Sequence, residues 1–411
     1  MPGETHGSEP CESEYGGEQA AQHITDFALV REGPFYRLLR GAHRNNEASF
    51  LLRNRVIVIS LLAWVPMLIL SMIQGTLFGD AVSTPFLLDI KVHARFLVAM
   101  PLLLAAEVLV QRRMGDVVDQ FLERNLVPKQ ATAQFQSAIL SVSRWRDSLL
   151  VEACLFAIVY ILDMVVIWSG YLAPEVATWY ATSSSMGTEL SLAGMWYFFV
   201  SLPVLQFLLL RWYFRLFLWA RFLWQVSRIR LNLIATHPDR LAGLGFLSHT
   251  VNALITLAVA HGVLLAAHIA DPVIYRGAEL KQFGLEIVAV VVLVQCIVYV
   301  PLLVFARQLM ETRWRGLIEY EALSARHAYE FESNWLRGDP SPGKQLVIND
   351  DMQSLADLDG GYQIVRGMRL APVSLRGILV LAVATLIPIA PLLLTMMPLQ
   401  ELLSKVAGIL F

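Results

Sequence analysis

The chain has 411 residues, 56% of them hydrophobic and only 16% charged, with a net charge of −2. Soluble domains carry about a quarter charged residues, so the deficit points to a chain whose main solvent is lipid. The balanced charge offers no global basic excess to suggest nucleic acid, and no nucleic-acid partner is expected. Cys154 and Cys296 sit inside apolar runs and Cys11 in a polar tail, which excludes an extracellular disulfide framework.

Residues 1–33 are acidic and Gly-rich and are expected to form a disordered tail. They lack the basic and apolar regions of a cleavable signal peptide, so the first apolar run is expected to be an uncleaved anchor. Residues 34–55 mix Phe35, Tyr36, Leu38 and Leu39 with arginines, the pattern of an amphipathic helix on an anionic leaflet. Six apolar runs follow within 56–305: Val56 to Phe78, Val92 to Val110, Leu149 to Trp168, Leu192 to Leu210, Val251 to Ala270 and Leu285 to Phe305. Each approaches the roughly 20 residues that cross a bilayer core about 30 Å thick. Residues 111–147 and 211–250 read as cytoplasmic connections.

The segment 306–376 reads as cytoplasmic and helical. It opens as a continuation of the sixth span, with Leu317, Tyr320 and Leu323 at helical spacing. GDPSPG at 338–343 breaks it, and a short helix and a loop lead on to a seventh span, Gly377 to Met397. Residues 398–411 look like an amphipathic helix at the outer interface. The expected fold is therefore all-α: a polytopic membrane protein of about seven transmembrane helices with a cytoplasmic helical layer.

Lys and Arg set the expected orientation. The N-terminal tail and the second, fourth and sixth connections hold 27 of the 32 basic residues. This places the N-terminus in the cytoplasm and the C-terminus in the periplasm. Prolines lie inside five spans (Pro66, Pro101, Pro203, Pro301, and the pair Pro388 and Pro391), whereas the third and fifth spans have none.

Ionisable groups inside a span are costly and tend to face the bundle interior. Here they are Glu107, Glu152, Asp163, His261 and His268. Glu107 and Glu152 lie at similar depth near the inner side. Asp163 lies between the depths of the two histidines. One reading is a polar seam along the third and fifth spans that carries a proton or small ion, with Asp163 beside a histidine. The other is structural, with the glutamates reaching Arg112, Arg113 or Arg146. His and carboxylate ligands also suit zinc or iron, but neither HExxH nor CxxCH occurs, and no metal or cofactor is expected. Arg211 and Arg215 fall past the end of the fourth span and read as interfacial anchors. No nucleophile constellation supports an intramembrane enzyme.

The connector THPDRLAGLGFL at 236–247 offers His237, Asp239, Arg240, Gly243 and Gly245 as ligand candidates. Its plainer reading is a tight turn whose Thr236 and Asp239 satisfy backbone groups. Its His-Pro-Asp triplet lacks the charged helices of a J-domain. Two further motifs fail. Gly338 to Lys344 fits G-x4-G-K but lacks the following Ser or Thr and contains two prolines. Asp357 to Gly360 suggests a calcium loop but places glycine one position early, with Met368 where the bidentate Glu belongs.

Together, THPDRLAGLGFL and DDMQSLADLDGGYQIVRGMRLAPVS resemble a family of uncharacterised bacterial multi-pass inner-membrane proteins with HPDRxGGLGFL and DIQSLADLxNSxxVVRxMRxVPF connectors. The chain departs from that pattern at Leu241-Ala242 and at Asp359-Gly360-Gly361. The resemblance implies a bacterial inner membrane and implies no activity. Two functions are carried forward. The first is a channel or transporter for a small ion or proton. The second is a membrane sensor or scaffold whose cytoplasmic connectors bind a partner. The partners expected are the lipid bilayer and, for transport, a small ion; homo-oligomerisation is left open.

Overall fold

The computed structural model describes residues 48–78, 82–168, 178–184, 187–333, 337 and 348–393. The N-terminal tail, most of the 34–55 segment, the GDPSPG loop and the 398–411 segment lie outside the described residues. In chain order the helices are α1 (Ala48–Ile73), α2 (Ile90–Glu123), α3 (Thr132–Arg146), α4 (Leu149–Trp168), α5 (Leu192–Val226), α6 (Thr250–Tyr275), α7 (Leu280–Phe331), α8 (Ile348–Arg366) and α9 (Leu375–Leu393). The protein is an all-α polytopic membrane protein. Among the described residues, six helices are long and apolar enough to cross a bilayer. A seventh crossing is reached if α3 and α4, which meet at a bend of 48°, count as one broken span.

Several helices run well past the expected boundaries. α2 has 34 residues, α5 35 and α7 52. The edge at 55/56 is not a break, because α1 begins at Ala48 and crosses it. The edge at 305/306 is likewise inside α7. α8 is a full 19-residue helix rather than a short one. The apolar pattern reports where lipid ends. A helix goes on for as long as tertiary packing covers one of its faces.

Proline alters winding more than direction. Pro101 and Pro203 each follow a wide π-turn, Ala94–Ala99 and Tyr197–Ser201. Pro301 and Pro388 sit in tight 3-10 stretches. Each ring removes an amide and crowds the carbonyl four residues back, so the local turn opens or tightens to accommodate it. α6 extends beyond its apolar run and encloses Pro272 near its end.

α6 is the hub. Its apolar window is 72% buried, against 22% for α1 and α7. It packs on α2 and α9. Gly262 allows the α9 contact: a Cβ there would stand 2.2 Å from the Thr385 carbonyl oxygen. Buried hydrogen bonds pin other pairs of helices. Ser201 Oγ donates to the Ala63 carbonyl at 2.7 Å, and the Trp212 indole donates to the Leu103 carbonyl at 3.0 Å. The outward faces of α1, α4 and α7 expose Ile, Leu, Val and Phe, as lipid contact requires.

At the end away from most arginines, Asp89 caps the start of α2 and also accepts from the Trp179 indole at 2.9 Å. Phe86, Trp179, Tyr197 and Phe198 close an aromatic cluster there. An antiparallel hairpin precedes α5, with Ala181 opposite Leu190 and Ser184 opposite Gly187. Nothing in the sequence reading anticipated these strands. At the arginine-rich end, α3 packs on α5, and α8 packs on the distal half of α7.

Candidate functional site

Among the described residues, four helices bring together a largely buried charge cluster. α2 contributes Glu107, α4 Glu152, α1 Arg55 and α5 the pair Arg211 and Arg215. Four residues apart on a helix, the two α5 arginines share a face. Arg215 Nη2 lies 2.5 Å from Glu107 Oε1, and Arg211 Nη1 lies 3.6 Å from the same oxygen. Arg55 Nη2 reaches Glu107 Oε2 at 3.6 Å. Arg211 Nη2 also reaches Glu152 Oε1 at 3.8 Å, so Arg211 bridges the two glutamates. Glu107, Arg211 and Arg215 are all buried. Isolated, each of these charges would cost several kcal/mol in the interior, about as much as good pairing returns.

This arrangement corrects one expectation. Arg211 and Arg215 are interior ion-pair partners, not interfacial anchors. Arg146, offered as a partner for the glutamates, pairs with its neighbour Asp147 at 2.8 Å. Arg55, Arg211 and Arg215 were missed because each lies at or just past the end of an apolar run. The signal was present: residues 212–226 stay rich in Trp, Phe and Leu, which marks a helix that continues buried beyond Leu210.

Asp163, His261 and His268 do not form one seam. Asp163 is buried between α4 and α5 and hydrogen-bonds Gln206 of α5, while its Oδ2 finds no partner. His261 is satisfied on both nitrogens. Nδ1 lies 2.8 Å from the Leu257 carbonyl, which can only accept, so Nδ1 donates and Nε2 is left to accept from the Tyr213 hydroxyl at 2.8 Å. His268 is largely exposed and faces Glu286 of α7 at 3.7 Å. The expected pairing of Asp163 with a histidine is therefore replaced by three separate contacts. α5 supplies the partner for both Asp163 and His261. No group of three His, Cys, Asp or Glu side chains stands ready for a metal among the described residues.

The 236–247 connector is a knot organised by one carboxylate. Asp239 Oδ1 accepts the amides of Leu241 at 2.7 Å and Gly243 at 3.2 Å, and Oδ2 accepts that of Gly245 at 2.8 Å. His237 Nδ1 lies 2.9 Å from Oδ1. Partial burial alone would raise the Asp239 pKa, but the three amides and His237 outweigh it and hold the carboxyl below its ordinary value. The chain turns tightly enough that Arg240 (φ 55°), Ala242 (φ 54°) and Gly243 (φ 99°) adopt left-handed conformations. Only glycine does so without strain. Asp239 is thus consumed by its own loop, as the plainer reading held.

The two connectors that carry the family resemblance meet. The Arg369 amide donates to the Arg240 carbonyl at 2.8 Å, and Arg369 Nη2 donates to the Asp239 carbonyl at 3.4 Å. Gln308 of α7 fastens the preceding turn by donating to the Ser227 and Ile229 carbonyls. Comparison of the chain with protein-family models, with curated proteins and with solved structures found no match.

Proposed function

We propose that the chain is a sensor or scaffold of a bacterial inner membrane, with its arginine-rich end in the cytoplasm, whose interlocked connectors present a binding surface to a partner. The junction of Arg240 with Arg369 carries this reading. It joins segments about 130 residues apart in the chain into one layer backed by α7 and α8, a framework suited to holding a surface in fixed shape. The intramembrane charges support the same reading. Glu107 and Glu152 are engaged with arginines, and the polar groups farther along α5 are dispersed among separate contacts.

A second reading, transport of a proton or small ion, is favoured by one observation: the buried Asp163 oxygen without a partner. Reconstituted proteoliposomes separate the two. The scaffold reading expects proton, sodium and potassium flux no greater than in protein-free vesicles. A flux abolished by Asp163→Asn in protein that remains folded overturns it and puts transport first. In native membranes, charge reversal at Arg366 and Arg369 is expected to release any protein that co-purifies with the wild type.

A further inference from the structure

The connector layer holds an arginine cluster whose members Arg240, Arg313 and Arg369 have no carboxylate partner among the described residues. Two guanidinium groups meet the backbone at 366–367, and a third is tied to the facing connector at Asp239. Arg313 Nη2 of α7 donates to the Arg366 carbonyl at 2.9 Å. The Arg240 guanidinium packs over the next residue, with Nε and Cζ 3.6 Å from where a Cβ on Gly367 would project. Arg369 Nη2 sits on the Asp239 carbonyl at 3.4 Å. Arg240, Arg366 and Arg369 are exposed. No carboxylate pairs with Arg240, Arg313 or Arg369 among the described residues, and Arg313 Nε is a buried donor with no acceptor.

Within the two connectors themselves, the one acid is engaged elsewhere. Residues 227–250 contain one carboxylate, Asp239, and residues 361–376 contain none. Asp239 spends both oxygens on loop amides. The left-handed Arg240 turns out of the knot at the place where Arg369 arrives. Guanidinium groups held on adjoining backbone segments repel one another, and neutral backbone carbonyls compensate only part of that charge.

We infer that Arg240, Arg313 and Arg369 form a binding site for a phosphate group. A carboxylate offers two oxygens. A phosphate offers three or more with greater charge, so it can bridge three planar forks at once. The inference rests on the scaffold reading and names the chemistry the connectors take. A phospholipid headgroup and a soluble phosphate share that chemistry.

The test uses the full chain in nanodiscs. Inorganic pyrophosphate is titrated onto protein in phosphatidylcholine discs, with sodium chloride at matched ionic strength as control and melting temperature as readout. A parallel set replaces part of the phosphatidylcholine with phosphatidylglycerol. A saturable rise with pyrophosphate supports a soluble source, and a rise with phosphatidylglycerol supports a lipid source. In either case the Arg240→Gln/Arg369→Gln double variant is expected to bind more than about tenfold more weakly. Arg307→Gln, which alters an exposed pair with Glu311, is expected to bind like wild type. If the double glutamine variant does not fold, Arg240→Lys/Arg369→Lys keeps the charge, loses the planar fork, and is expected to weaken binding by a smaller factor. No response of the wild type to either probe overturns the site, as does a response that the variants retain in full. Ion flux in proteoliposomes would instead sink the scaffold reading, so the two failures are distinguishable.

Discussion

Glu107 Oε1 and Arg215 Nη2 stand 2.5 Å apart in the interior of the helical bundle, where neither side chain has water to fall back on. Glu107→Gln therefore leaves two α5 arginines facing a neutral amide. The expected loss of stability is about 3–5 kcal/mol, measured by reversible unfolding in mixed micelles. A loss below 1 kcal/mol, on the order of an exposed pair, would mean the cluster is hydrated.

Because Arg211 contacts both glutamates, Glu107→Gln and Glu152→Gln are expected to be non-additive. The coupling should fall in the range of about 0.5–3 kcal/mol typical of a shared network. Strict additivity of the two single losses would show that Arg211 does not link them.

Asp239 gives the connector a pH dependence with a definite sign. Its folded pKa is lowered, so its contribution is fully present above the unfolded carboxylate value of about 3.9 and is lost as pH falls through the folded value. Asp239→Asn keeps the shape but offers one acceptor oxygen in place of two. It is expected to cost on the order of 2 kcal/mol near neutral pH. The gap between wild type and variant should close as pH falls below about 4, by the same linkage. A gap that persists undiminished well below about pH 4 would contradict the assignment.

Gly262→Ala places a methyl group against the Thr385 carbonyl and must move α6 from α9. Overpacking of this kind costs about 1–3 kcal/mol. Gly284→Ala, where a Cβ would meet nothing, serves as the control and should leave the melting temperature unchanged or slightly raised.

Orientation is open to a fusion assay. Alkaline phosphatase joined after Phe411 is expected to be active, and joined near Pro340 inactive. The reverse pattern would invert the assignment of the arginine-rich end to the cytoplasm.

The spans were legible because a bilayer imposes a length and a composition that a single chain displays openly. The shared depth of Glu107 and Glu152 was legible too, because residue count along a helix is a ruler. Their partners were not. Arg55, Arg211 and Arg215 looked interfacial because the apolar runs stop beside them, while the helices go on under cover of neighbours. Which side chain meets which depends on helix rotation and crossing, and a periodic pattern does not carry that. This is why Tyr213 and Gln206, rather than each other, turned out to be the contacts of His261 and Asp163. In the connector, the Asn, Asp and Gly chemistry of tight turns marked Asp239 correctly as a backbone organiser. The meeting of Arg240 with Arg369 is long-range in sequence and left no local trace.

The length of α7 has a mechanical consequence. Its 52 residues run without a sharp break from the lipid-exposed Leu285 region to the end of the layer where α8 packs. At about 1.5 Å per residue that is a rod roughly 78 Å long. Transmembrane helices adjust their tilt when the bilayer thins or thickens. A tilt change of about 5° pivoting at the lipid end displaces Arg313, about 50 Å along the helix, by about 4 Å. The same helix also carries Gln308 and Arg313, the residues that grip the connectors. A change in the thickness of the surrounding lipid is therefore expected to reach the geometry of the arginine surface through this one lever arm.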